Sequence, residues 1–325
     1  AAYVRNLAAD GSEYDVFAAV TPLSDGGYLS VRTRPVCTDL FDTACTIYRD
    51  ARAVEDRAIA DGANRRAAAE QGLGRIAELL AGAGLSSYEE FQNTALPAEV
   101  ARREELSDGV PVRPDATGDL RVMLDSVTTI ATGLDSWKAG QQQLAELSAS
   151  LKAAGKGLTR TLEDPRLGPT RIAALDRSDT RVKPLADLLD LWSQMQSLVS
   201  PLVARLVDTL AQLDTNGART RSRIALARLH ATTTSLFTVE LIDGAGDPQY
   251  SAEAIPDLIE SLDDGVAEME RQARTYSTLA TQVVAYIGEV SRMMTIPNQL
   301  LMLWTGSPAS TDPALPAEAA ELSAA

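Results

Sequence analysis

Residues 255–294 read IPDLIESLDDGVAEMERQARTYSTLATQVVAYIGEVSRMM, and apolar side chains recur along them at alternating spacings of four and three residues. The positions that keep this heptad register are Ile255, Ile259, Leu262, Val266, Met269, Ala273, Tyr276, Ala280, Val283, Ile287, Val290 and Met294. A straight α-helix drifts by about 20° per heptad, so a register of this length indicates helices that wind around one another. One helix over this stretch would be about 60 Å long. The stretch therefore predicts an elongated helical bundle.

Two further stretches keep the same period. The first has core positions Leu120, Met123, Val127, Ile130, Leu134, Trp137, Leu144 and Leu151, and the second has Leu185, Leu188, Trp192, Met195, Val199, Leu202, Leu206 and Leu213. Both tryptophans are predicted to pack in the core. Asp214-Thr-Asn-Gly217 has the composition of a helix end, so we expect the chain to reverse there. Long helices with short connections favour antiparallel neighbours that cross at about 20°.

The N-terminal part has a different pattern. Residues 14–23 and 28–34 are rich in β-branched and aromatic side chains, and Ser24-Asp-Gly-Gly27 joins them. Because glycine readily takes the positive φ of a tight turn, this pattern predicts a β-hairpin. The predicted fold class is therefore mainly all-α, an elongated antiparallel helical bundle with coiled-coil heptads plus an N-terminal β-hairpin.

The domain organisation follows from these patterns. Residues 1–36 form an N-terminal segment that contains the hairpin, and residues 37–305 form the helical bundle. Within the bundle, residues 85–117 are predicted as a short helix with a proline-broken linker, and residues 164–182 as a loop. Residues 306–325 are rich in alanine and proline and contain no Lys or Arg, which is typical of a tail.

The charge balance limits the classes of partner. The net charge is -15, and such an acidic surface repels nucleic acid and weakens attraction to anionic lipid headgroups. No run of 18 apolar residues occurs, so no membrane-spanning helix is predicted, although contact with a membrane surface is allowed. The expected partners are other protein subunits, including further copies of this chain.

The two cysteines, Cys37 and Cys45, are predicted to form a disulfide if a loop lies between them. On one continuous helix they would be about 12 Å apart, which is too far, and the alternative is two buried free thiols. Together with the small residues Ala1 and Ala2, which resemble a signal-peptidase product, the pair predicts an exported protein that is periplasmic, cell-surface or secreted.

One segment reverses the local charge. Residues 215–239 contain no acidic residue but carry Arg219, Arg221, Arg223, Arg228 and His230. On a helix, Arg219, Arg223 and His230 fall within about 40° of one another, which suits an anion or a partner's carboxylate. The alternative is that these arginines lie at the bundle edge and pair with acidic neighbours such as Asp263, Asp264 and Glu268.

The sequence contains few motifs that indicate catalysis or the binding of a metal or cofactor. His230 is the only histidine, so a triad or a histidine metal site would depend on it, and no motif places a nucleophile near it. Gly72-Leu-Gly74-Arg-Ile-Ala77 resembles a dinucleotide-binding loop, but an alanine-rich helical pattern precedes it, so we interpret it as a helix break. We predict no catalytic residue, metal or cofactor.

The most apolar run lies at residues 293–304, where the large apolar side chains are Met293, Met294, Leu300, Leu301, Leu303 and Trp304. One interpretation is a hydrophobic tip that contacts a partner or a membrane interface. The other is the end of the bundle core, folding back after Pro297.

The function that these patterns favour is that of a non-enzymatic structural or interaction protein, a helical rod within a larger extracytoplasmic assembly. Two alternatives stay open. One is an α-helical pore-forming toxin component that inserts its hydrophobic tip, and the other is a helical ligand-binding sensor module with an arginine-rich anion site.

Overall fold

The computed structural model describes residues 1–107, 109–110 and 112–324, without the side chains of residues 166, 296–297, 308–309, 318 and 324. It is mainly α-helical and has one antiparallel sheet at the N-terminus. This confirms the prediction of a mainly helical chain with an N-terminal β-hairpin. Within the described residues, no helix is both long and apolar enough to cross a membrane.

The elements have the following bounds. The strands are β1 (Ala2–Leu7), β2 (Glu13–Pro22) and β3 (Tyr28–Thr33). The described residues form the helices α1 (Thr38–Ala60), α2 (Arg65–Gly82), α3 (Tyr88–Leu106), α4 (Gly118–Leu162), α5 (Pro169–Ala173), α6 (Lys183–Asp243), α7 (Pro248–Thr305) and α8 (Ala317–Ala324), with 3₁₀ turns at Pro165–Leu167 and Pro308–Thr311.

The chain divides into two compact units. Unit 1 comprises Ala1–Gln143 and Gly217–Ala273, and unit 2 comprises Leu144–Asn216 and Arg274–Ala325. Helices α4, α6 and α7 each contribute residues to both units.

The sheet has the order β1-β2-β3, so the predicted hairpin is the β2–β3 pair. Sequence reasoning missed β1, which pairs with β2 through a turn at Asp10-Gly11. Gly11 has a φ of 86°, and the Ala8 N–H donates to the Ser12 carbonyl at 2.8 Å. The Asp-Gly pair is the signal that would have revealed the extra strand.

Of the two helix breaks predicted at Gly62 and Gly72, the structure contains only the first. Gly62, with a φ of 93°, ends α1 as expected. Gly72 lies inside α2 and is buried, so the predicted break at Gly72 is wrong. A Cβ on Gly72 would lie 2.3 Å from Glu55 Oε1 of α1, which means that the glycine permits a close approach of two helices.

Helices α4, α6 and α7 share a core within unit 1. It contains Val127, Leu134, Ile224, Ala227, Ala231, Leu262 and Met269. Four of these are heptad positions of α4 and α7. Trp137, however, is 40% exposed, which corrects its predicted core position. The buried side chains of α4 in this unit are centred on Leu124, Val127 and Leu134, and Trp137 lies at the rim of that narrow stripe.

The predicted chain reversal at residues 214–217 is wrong, because α6 runs through it without interruption. Gly217 does not take the positive φ of a helix cap, and both Asn216 and Gly217 are buried. Tertiary packing therefore keeps this segment helical despite its turn-like composition.

Unit 2 contains structure where a loop and a tail were expected. Residues 164–182 include α5, and residues 306–325 include α8. One core cluster joins them to α6 and α7 through Ile172, Leu175, Val182, Leu185, Ala186, Leu189, Trp304, Ala319 and Leu322. The Arg171 guanidinium also bonds to Glu321 at 2.7 Å. The C-terminal segment thus packs on its own unit.

The predicted Cys37–Cys45 disulfide is corrected as well, since both cysteines are free. Cys37 is the N-cap of α1 and Cys45 lies within α1. A continuous helix between them gives a separation of about 12 Å, beyond the reach of a disulfide.

Candidate functional site

The sheet is fixed to unit 1 by its inner face. The ring of Tyr3 in β1 packs against Phe17 of β2, Phe41 of α1 and Phe91 of α3, with centroid distances of 5.0, 5.6 and 6.4 Å. Phe17 is 2% exposed. Aromatic rings at these distances add to the stability gained by burying their apolar area. These ring contacts anchor the inner face on α1 and α3, and its core cluster also contains residues of α2, α6 and α7.

A buried carboxylate completes the anchor. Glu99 of α3 is 1% exposed. It accepts hydrogen bonds from Tyr3 Oη at 2.9 Å, from the Val36 N–H at 2.9 Å and from the Cys37 N–H at 3.0 Å. Burial and the nearby Glu99 carboxylate raise the pKa of the Tyr3 phenol. One side chain thus ties β1, the start of α1 and α3 together.

Glu99 was missed by sequence reasoning, although a signal was present. It stands four residues after Ala95 and eight after Phe91, both of which are buried. A charged residue on the apolar stripe of a helix is either unfavourable or supplied with several hydrogen bonds. The position of Glu99 on the apolar face of α3 therefore indicates a buried carboxylate that is held by hydrogen bonds.

The opposite face of the sheet is the candidate functional site, and we call it the outer face. The strand register places on it Ala2, Val4, Asn6, Tyr14, Val16, Ala18, Val20, Pro22, Tyr28, Ser30 and Arg32. Four of its large apolar members, Val4, Tyr14, Val20 and Tyr28, are 39%, 47%, 53% and 73% exposed, whereas Val16 and Ala18 at its centre are buried. Arg32 is its only charged residue, in a chain that carries 45 acidic residues.

The edges of the sheet add backbone groups to this surface. Strands β1 and β3 each pair with β2 on one side, and the described residues add no further strand on the other. The turn between β2 and β3 is held by the Ser24 N–H, which donates to Glu260 Oε1 of α7 at 2.8 Å. A sheet with exposed apolar side chains on one face, open edges and helices packed on its other face is suited to contact with another protein.

The structure brings together only part of the predicted anion site at Arg219, Arg223 and His230. Arg219 and Arg223 line one cavity of about 450 Å³ with Glu89 and Glu268. Arg219 Nε lies 2.7 Å from Glu89 Oε1, and this contact lowers the pKa of the Glu89 carboxyl. Glu89 thus neutralises Arg219, whereas Glu268 pairs with Arg271 at 2.6 Å and has Arg223 nearby.

His230 does not belong to this cavity. It is fully buried in α6, and among the described residues neither Nδ1 nor Nε2 has a hydrogen-bond partner. Burial lowers the pKa of His230 to about 4. The side chain is therefore neutral at pH 7, and the prediction that it shares an anion site with the two arginines is wrong.

This buried histidine makes stability depend on pH. Its folded-state pKa of about 4 lies below the ordinary value of about 6.5, so between these pH values the unfolded chain binds more protons. Stability is lost as pH falls from about 6.5 to about 4, by roughly 3 kcal/mol. We expect His230→Leu to remove this part of the pH dependence, as measured by urea unfolding at pH 7.0 and 4.5. Equal pH dependence in wild type and variant would contradict the prediction.

The residues of the predicted hydrophobic tip have different environments. Met293 and Met294 pack against a core cluster of unit 2, and Leu300 is partly buried. Trp304 is 7% exposed, whereas Leu301 and Leu303 are 52% and 70% exposed. The Trp304 Nε1–H donates to Ser323 Oγ of α8 at 3.0 Å. Pro297, at which a fold-back was expected, has a side chain outside the described residues, and α7 continues to Thr305.

Comparison of the chain with protein-family models, with curated proteins and with solved structures finds no match. The function is therefore inferred from the geometry of the sheet and its supporting helices.

Proposed function

We propose that this protein is a non-enzymatic interaction protein, in which helices of unit 1 support a β-sheet surface for contact with other protein subunits, further copies of the same chain included. The observation that carries the proposal is the outer face of the sheet. It combines four large exposed apolar side chains with a single charge.

Association of two copies depends on both charge and apolar area. Two copies with a net charge of -15 repel one another at long range, so a contact between them requires a surface without acidic residues. The outer face is such a surface. Burying its apolar area contributes about 25 cal/mol per Å², and tyrosines such as Tyr14 and Tyr28 are enriched in protein interfaces. Two such faces would pack about 10 Å apart, as sheets do.

The remaining helices supply the support. In unit 1, Ala225 and Leu229 of α6 and Leu258 of α7 share the core cluster of Tyr3 and Phe17.

The test compares two valines that are exposed in different settings. Val20 lies on the outer face, and Val284 lies on α7 at 70% exposure. We expect sedimentation velocity over a concentration series to show association of the wild type, strengthened by salt, which screens the repulsion. Val20→Glu should sediment as a monomer, while Val284→Glu behaves as the wild type.

Circular dichroism and melting temperature verify that both variants are folded. A wild type that stays monomeric up to its solubility limit, or a Val20→Glu variant that associates as strongly as the wild type, would contradict self-association through the outer face.

The two alternatives have less support. A sensor with an arginine-rich anion site is disfavoured by the ion pair of Arg219 with Glu89 and by Glu268 beside Arg223. A toxin component that inserts residues 293–304 would first have to expose Trp304, which packs beneath α8.

A further inference from the structure

Unit 1 contains a cavity of about 280 Å³ that is lined by residues of α3, α4 and α6. Its apolar lining consists mainly of small side chains, among them Pro97, Ala98, Ala101, Ile224 and Ala225. Protein interiors are otherwise close-packed, so alanine at three of these positions accounts for the open space. The cationic side chains of Lys138, Arg221 and Arg228 line the same cavity. The lining thus combines an apolar surface with positive charge.

Two of these cations already have counter-charges within unit 1. Arg228 pairs with Glu104 of α3 and with Asp135 of α4, and Lys138 lies 3.3 Å from the Glu104 carboxylate. The Arg228 side chain is 12% exposed and also donates to the Ala131 carbonyl at 3.2 Å. Lys138 and Arg228 therefore belong to a cluster in which two carboxylates balance two cations.

Arg221 differs from both of them. Its side chain is partly buried, and its guanidinium forms no ion pair or hydrogen bond with any residue that the structure describes, in a chain with 45 acidic residues. A Cβ on Gly217, one turn earlier in α6, would lie 3.3 Å from Arg221 Nη1, so the glycine leaves room for the guanidinium. A partly buried cation without a counter-charge is less favourable than a paired one. An anion in the cavity would supply the missing partner.

The charge and size of the cavity set the class of this anion. Arginine binds a carboxylate through two parallel N–H···O bonds, and one unpaired guanidinium balances one negative charge. An apolar cavity of about 150 Å³ in another protein holds benzene, so about 280 Å³ has room for a ring with a short chain. Contact of this ring with the apolar lining adds the free energy of burying apolar area. Inorganic phosphate has no apolar part and would lose hydration against such a lining.

We propose that this cavity is a binding site for a small organic acid that carries one carboxylate and an apolar body of about one ring. The carboxylate pairs with the Arg221 guanidinium, and the exposed Gln142 amide in the same lining supplies a further donor. The apolar body lies between Ile224 and Ala225 of α6 and Ala101 of α3. This site does not depend on the interaction surface of the sheet, so either proposal can fail without the other.

The experiment uses three probes, which are 3-phenylpropanoate, its neutral amide 3-phenylpropanamide, and inorganic phosphate. Each is titrated into the full chain at neutral pH by isothermal titration calorimetry. We expect saturable binding of 3-phenylpropanoate. The amide should bind about tenfold more weakly, because it lacks the charge-assisted bonds to arginine. Phosphate should show no saturable binding.

Two arginine variants of α6 locate the charge that binds the acid. Arg221→Gln should weaken 3-phenylpropanoate about tenfold and remove the preference for the acid over the amide. Arg223→Gln is the matched control, because it makes the same change in charge on the same helix but Arg223 lines the cavity with Glu89 and Glu268. It should bind all three probes as the wild type does. Circular dichroism and melting temperature verify that both variants are folded.

Three results would overturn the proposal. The first is the absence of saturable binding of 3-phenylpropanoate to the wild type. The second is an equal loss of affinity in Arg221→Gln and Arg223→Gln, which would place the acid elsewhere. The third is equal affinity of the wild type for the acid and the amide, or for the acid and phosphate. This last comparison needs no variant, so it decides the proposal even if Arg221→Gln does not fold.

Discussion

Glu99→Ala is expected to lower the free energy of unfolding by about 3–5 kcal/mol, among the largest effects of any single substitution in unit 1. The alanine leaves the Tyr3 hydroxyl and the N–H groups of Val36 and Cys37 without their acceptor. It also removes the carboxylate that lies 3.7 Å from Arg103. Urea unfolding followed by far-UV circular dichroism measures the change.

The control is Glu105→Ala on the same helix. Glu105 is exposed and pairs with Arg102 at 2.9 Å, and an exposed pair of this type contributes less than about 1 kcal/mol. Tyr3→Phe, which removes one of the three donors, should fall between the two at about 1–2 kcal/mol. If Glu99→Ala and Glu105→Ala have the same small effect, Glu99 does not anchor the sheet.

Trp304→Ala is expected to destabilise unit 2 by about 3–5 kcal/mol, because it leaves a cavity beneath α8. Trp304 shares a core cluster with Ala319 and Leu322 and donates to Ser323. The same substitution at a surface tip would have little effect on stability. Chemical unfolding of the full chain thus separates the two interpretations that the sequence left open for Trp304.

The adjacent residue provides the matched comparison. Leu303 is 70% exposed, so Leu303→Ala should change stability by no more than about 0.5 kcal/mol. Loss of stability with Trp304→Ala alone supports the packing of the C-terminal segment on its own unit. Near-zero effects for both substitutions would instead favour an exposed hydrophobic tip and a tail that is held by another molecule.

Local patterns of the sequence predicted the long helices and the β2–β3 hairpin, but not β1, α5 or α8. Heptad spacing predicted the long helices, because the period of apolar side chains along one helix is a property of that helix alone. The alternating run with Gly26-Gly27 predicted the β2–β3 hairpin for the same reason. The strand β1 was missed, although Asp10-Gly11 marked its turn.

The predicted anion site was harder to derive from the sequence than the secondary structure. The sequence placed Arg219 and His230 on one side of a helix, and the structure agrees that both lie on α6. They are 11 residues apart, however, which is about 16 Å along the axis. Arg219, near the middle of α6, pairs with Glu89 of α3. His230, about three turns further along the helix, is buried in the core. Angular position within a helix does not determine what packs against it.

The sequence by itself determined the fold class, the acidic surface and the presence of an N-terminal hairpin, because these depend on composition and on short-range periodicity. The tertiary structure alone decided that α6 continues through residues 214–217, that Glu99 is buried and that Trp304 lies beneath α8. It also decided which face of the sheet is exposed. Each of these depends on contacts between residues far apart in the chain, where burial and hydrogen bonding outweigh local propensity.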